Sequence, residues 1–144
     1  MLQGIALLVI PVGVATVISE VISRFYVRQR PFAVMSDIKL LVPHSADGGM
    51  PSHHMVFMAS AAFMVYLSNK RLGVILIGTS LISGVARISA GIHYPSDVFA
   101  GILLAGFTVF LYVMISRRLT GLNQNSLKSN QEKTSLMRKK EMMR

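Results

Sequence analysis

Four apolar runs, separated by polar connections, dominate the chain. Residues 1–19 carry no charge, and the apolar pattern continues past Glu20 to about Ser23. A second run covers Met55 to Asn69, with uncharged residues reaching back to Gly48. A third extends from Leu72 to Ile92, interrupted only by Arg87, and a fourth from Val98 to Ser116 without a charge. A helix crosses a hydrocarbon core of ~30 Å with about 20 apolar residues. The pattern therefore predicts an all-α, polytopic membrane bundle of four transmembrane helices. The first run lacks the basic flank, short apolar core and cleavage site of a signal peptide, so it reads as a span. Ser80 with Gly84, and Gly101 with Ala105, supply small residues at the spacing that lets membrane helices approach closely.

The connection from Phe25 to Pro51 is long. It contains Ile38, Leu40, Leu41 and Val42, preceded by Ser36 as a candidate N-cap and ended by Pro43, which suggests a short interfacial helix. The link between the second and third runs is tight, with Lys70 and Arg71 at its centre. Beyond Arg118 the chain turns to Asn, Gln, Ser, Lys and Arg with scattered Met. Residues 1–116 thus read as a membrane core and 117–144 as a basic tail, disordered or lying on the membrane surface.

Composition strengthens this picture. Of 144 residues 52% are hydrophobic and 15% charged, too apolar for a soluble domain of this size. The absence of cysteine excludes disulfide staples, thiolate zinc sites and thiol catalysis. The net charge is +9, but eight of the fifteen Lys and Arg residues lie in 117–144. In a membrane chain such a basic end indicates cytoplasmic orientation, and nucleic acid is not an expected partner. Both termini share one side with Lys70, Arg71, Arg117 and Arg118, which predicts cytoplasmic termini. The opposite, outer side receives the Arg28–Arg30 segment, the segment around Ser52 and the turn around His93, although Arg24, Arg28, Arg30, Lys39 and Arg87 weigh against this orientation.

That shared face gathers residues that a membrane chain ordinarily avoids. Arg30-Pro31 follows the first run, Pro51-Ser52-His53-His54 opens the second, Arg87 ends the third, and His93-Tyr94-Pro95-Ser96-Asp97 opens the fourth. Ionisable groups at membrane depth are expensive and mark function by default. Arg30 and Arg87 suit the non-bridging oxygens of a phosphate ester, to which a guanidinium offers forked donors. Pro51 and Pro95 suit first helical turns, whose free N–H groups favour anions. Asp97 is placed to orient His93 as a nucleophile, His54 to protonate the leaving oxygen, and Ser52 to add a hydroxyl donor. Singly, each residue has a plainer reading: Arg30 as a snorkelling anchor, Asp97 as a helix N-terminal charge, His53 facing headgroups. A metal site on His93 and Asp97 with His53 or His54 is disfavoured, because two arginines would repel a cation.

The segment Gly84 to Gly101, GVARISAGIHYPSDVFAG, resembles the third signature of the type 2 phosphatidic acid phosphatase superfamily. Arg87, His93 and Asp97 keep its spacing, with Ala86 in place of a serine. The second signature, Pro-Ser-Gly-His, is matched by Pro51, Ser52 and His54, with His53 where the family has glycine. Of the first, only Arg30 and Pro31 match; Ser23 occupies the lysine position, and Arg24 or Arg28 is its candidate substitute. The YVRQRPF and PSHH segments resemble bacterial undecaprenyl-diphosphatases of the bacitracin-resistance type. The resemblance, over residues 10–116, implies release of phosphate from undecaprenyl diphosphate outside the membrane, through a phosphohistidine and without metal or other cofactor. Another lipid phosphate, such as phosphatidylglycerol phosphate or phosphatidic acid, is the alternative substrate. A non-catalytic protein that binds lipid diphosphate is the alternative from another class. Members usually have six spans, and the four runs here correspond to the last four.

Overall fold

The computed structural model describes residues 2–35 and 48–142, and every regular element among them is a helix. These are α1 (Leu2–Phe25), α2 (Pro31–Val34), α3 (His53–Ser68), α4 (Lys70–Ser89) and α5 (Pro95–Met142). Four elements coincide with the four apolar runs. The interfacial helix expected around Ile38–Val42 lies outside the described residues.

Local chemistry sets the boundaries. Asn69 both ends α3 and starts α4: its N–H donates to the Val65 carbonyl at 2.7 Å, and its Oδ1 accepts from the Leu72 N–H at 3.2 Å. One residue therefore closes a helical hairpin. At the other end of α4, Gly91 takes φ 69°, a left-handed conformation that costs glycine nothing. That turn lets the Ile92 and His93 N–H groups donate to the Arg87 carbonyl at 3.1 and 3.4 Å. Pro95 then opens α5 as its first residue. Pro51 does not play this part for α3, because Ser52 is the N-cap and the helix begins at His53.

Two compact units divide the chain, Met1–Phe110 and Leu111–Arg144. The second is helical through Met142, including residues that the sequence offers as a tail. Its Leu, Lys, Arg, Gln, Glu and Met are good helix formers even without an apolar face. Among the described residues, Lys70–Ser89 and Pro95–Gly121 are long and apolar enough to cross a membrane. The apolar α3, at 16 residues, would extend about 24 Å at the helical rise, short of a ~30 Å core.

In the first unit α3 lies against α1 and α4. Small residues point inward: Ala15, Ser19 and Ser23 at successive turns of α1; Gly73, Ser80 and Gly84 on α4; Gly101, Ala105 and Thr108 on α5. Bulky ones point out, including Val17, Ile82, Phe99, Leu103 and Phe107, each more than half exposed. In water this would leave a large apolar surface uncovered; in lipid the outer face is satisfied and close backbone approach supplies the packing energy. Methionine fills the centre, and Met55 is fully buried.

Two glycines make the approach possible. A Cβ on Gly101 would stand 2.9 Å from Met55 Cβ and 3.0 Å from the Ser52 carbonyl, and one on Gly84 would stand 2.9 Å from Val98 Cγ1. Gly101→Val should therefore lower stability by about 1–3 kcal/mol, measured as thermal unfolding in detergent. Gly78→Ala, with nothing within 4 Å of the new methyl, should keep the midpoint or raise it slightly, since alanine is the better helix former. Equal midpoints for the two variants would contradict this packing.

Candidate active site

Asp97 organises one end of the bundle. It lies in the first turn of α5 and is fully buried. Its Oδ2 accepts from the Tyr94 N–H at 2.9 Å while its own N–H donates to the Tyr94 carbonyl at 3.0 Å, a reciprocal N-terminal cap. Its Oδ1 accepts from Arg28 Nη1 at 2.9 Å, and the Asp97 carbonyl accepts from the Ser52 N–H at 3.1 Å. This one residue thus joins the segment after α1, the start of α3 and the start of α5.

His93 sits against it, 4% exposed, with Nδ1 3.7 Å from Asp97 Oδ2. Its Nε2 lies 3.4 Å from Arg30 Nη1. A guanidinium only donates, so the two neighbours favour the tautomer with the proton on Nδ1 and a lone pair on Nε2. Arg30 is 6% exposed and also donates to the Ile92 carbonyl at 3.4 Å. The α2 turn holds this wall, because Phe32 N–H donates to the Gly91 carbonyl at 3.2 Å.

A cavity of about 320 Å³ opens in front of His93 and Arg30, lined further by Glu20, Ser23, Arg24, Gly48, Pro51, His53 and His54. The residues expected from the sequence are therefore brought together unevenly. Arg24, Arg30, His53, His54 and His93 line the cavity, and Asp97 stands behind His93. Ser52 and Arg87 are not among the lining residues, but both are close. Ser52 lies between two lining residues, and its buried Oγ has no hydrogen-bond partner. Arg87, half-buried, feels the charge of Arg30, and its buried Nε likewise has no partner. Among the described residues no group of three or more His, Cys, Asp or Glu side chains is arranged to hold a metal ion.

Two residues gain roles that the motifs do not indicate. Arg28, a candidate lysine substitute, is committed to Asp97, to Ser96 Oγ at 2.7 Å and to the Tyr94 ring at 4.1 Å, away from the cavity lining. Glu20 lines the cavity and meets Arg24 Nε at 3.0 Å and His53 Nδ1 at 3.5 Å. Its signals in the sequence are a carboxylate at the end of an apolar run and an arginine four residues on.

Losing Asp97 should weaken the whole arrangement. Asp97→Ala strands the Tyr94 N–H and the Arg28 guanidinium, so a loss of about 1–3 kcal/mol is expected, read as a lowered unfolding midpoint in detergent. An unchanged midpoint would show that the carboxylate does not tie these segments together.

The PAP2 superfamily profile matches residues 4–120. The undecaprenyl-diphosphatase BcrC of Bacillus subtilis (strain 168) is 33% identical over 100 residues, which cover 69% of this chain and 51% of that protein. A protein described as bacitracin transport permease BcrC, from Bacillus licheniformis, is 28% identical over 116 residues, 81% of this chain and 57% of its own length. The chain thus spans about half the length of these curated relatives. Among solved structures, Aquifex aeolicus LpxE superposes with a TM-score of 0.71 at 25% identity, covering 78% of this chain and 68% of that one.

Proposed function

The chain belongs to the PAP2 superfamily, and we propose that it is a membrane lipid-phosphate phosphatase that converts undecaprenyl diphosphate to undecaprenyl phosphate. The observation that carries the reading is the His93 ring held between Asp97 on its Nδ1 side and Arg30 on its Nε2 side. That arrangement supports a nucleophile whose lone pair faces the anion-binding wall. The preference for a lipid diphosphate draws on the similarity to the Bacillus subtilis undecaprenyl-diphosphatase. A lipid substrate also suits an apolar groove between α1 and α3, lined by Val9, Val12, Val17, Phe57, Met64 and Val65.

In the proposed reaction His93 Nε2 attacks the terminal phosphorus. An N–P bond forms as the P–O bond to the departing lipid phosphate breaks, and His54 gives its proton to that oxygen. Water then attacks the phosphohistidine, His54 takes a proton from it, and inorganic phosphate leaves with His93 restored. Arg30, Arg87 and Ser52 stabilise the equatorial oxygens while Asp97 holds the His93 proton. Arg24 and His53 complete the binding side. The four apolar helices serve as spans, with the site outside, both termini in the cytoplasm and the basic residues after 116 on the anionic inner leaflet.

The test is phosphate release from undecaprenyl diphosphate by the 144-residue chain in detergent. Turnover should persist in EDTA. His54→Ala should slow it by about 10²–10⁴-fold, and His93→Ala should remove it together with any acid-labile phosphoprotein. A His93→Ala protein with near-normal turnover would rule out the nucleophile assignment.

A further inference from the structure

The cavity is larger than one reacting phosphoryl group requires. Its volume is about 320 Å³, against about 10–15 Å³ for a single water on the same measure. Arg30 and His93 form one wall. Across from them, the last turns of α1 and the first residue of α3 contribute a second polar group: Glu20, Arg24 and His53.

A carboxylate in a cavity for anions is at first sight unfavourable. Both its oxygens, however, face side-chain nitrogens. Oε1 takes Arg24 Nε at 3.0 Å, and Oε2 faces His53 Nδ1 at 3.5 Å. Glu20 thereby sits between the Arg24 and His53 side chains at the cavity rim. The far nitrogen of the ring, His53 Nε2, is buried and has no hydrogen-bond partner. An N–H left in that position is answered by an acceptor brought in from outside.

We propose that Glu20, Arg24 and His53 form a subsite for the second phosphoryl group of a diphosphate ester, the one that leaves with the lipid. The inference rests on the phosphatase reading above and deepens it: the reacting phosphoryl group lies at His93 and Arg30, and the bridging and leaving phosphate lies at His53 and Arg24. A lipid monophosphate has no group to place there, so the subsite selects diphosphates. Polar subsites discriminate in this way because the lesser substrate leaves buried donors unanswered. His53, at the position where the family signature has glycine, supplies a donor that glycine's hydrogen cannot.

The experiment compares kcat/KM for farnesyl diphosphate and farnesyl monophosphate, two probes with the same tail, on the full chain in detergent. His53→Leu keeps roughly the bulk of the side chain and removes both ring nitrogens; Glu20→Gln keeps the shape of the residue that positions it. Each should lower the diphosphate-to-monophosphate ratio by about tenfold, the loss of one charge-assisted hydrogen bond. A ratio within twofold of the parent for both variants overturns the subsite, whatever the absolute rates. If the parent hydrolyses neither probe nor undecaprenyl diphosphate, the phosphatase reading fails, and titration with inorganic diphosphate and inorganic phosphate decides the subsite separately. Tighter binding of diphosphate that is lost in His53→Leu upholds it, and equal binding of the two anions overturns it.

Discussion

A single buried carboxylate holds the polar end of this bundle together. Asp97 accepts from a guanidinium and from a backbone N–H, and its carbonyl accepts from Ser52. Three segments distant in sequence converge on it. In an apolar surrounding such a group is tolerable only when fully answered, and the answering partners are what bring Arg28, Ser52 and His93 to one place. The site is thus a by-product of satisfying one acid. Arg28 contributes by restraining the start of α5: it holds Asp97, which in turn faces the His93 ring, together with Ser96 and Tyr94.

The remainder of the first unit is arranged so that this end can close. Glycine, alanine and serine along the inner faces of α1, α4 and α5 bring helix axes near enough for Met55 and Val56 to fill the centre. Larger residues there would force the helices apart by a few tenths of an ångström or more. The reach of a guanidinium or imidazole to a phosphate is no more forgiving than that. Packing in the apolar middle and geometry at the polar end are therefore one problem.

Much of this was legible in the sequence. Long uncharged runs gave the helices, because membrane helices announce themselves by composition alone. The spacing of Arg87, His93 and Asp97 predicts that they share one end of the bundle, because only a turn and a first helical turn separate them and local geometry is fixed by local sequence. What was not legible depends on approach between distant segments. The commitment of Arg28 to Asp97 spans 69 residues, and the facing of Glu20 toward His53 arises from α1 lying beside α3. The helix beyond Arg118 has propensity without an apolar period, so no hydrophobic pattern marks it in the sequence.

The one-residue joint at Asn69 carries an evolutionary consequence. It terminates one helix and caps the next, so α3 and α4 are geared to each other with no slack between them. Inserting one residue would turn α4 by about 100° relative to α3. Arg87, some five turns further on, would swing from the side facing Arg30 toward lipid. Length changes at this hairpin therefore cost the placement of Arg87 beside Arg30, and selection for that placement opposes them.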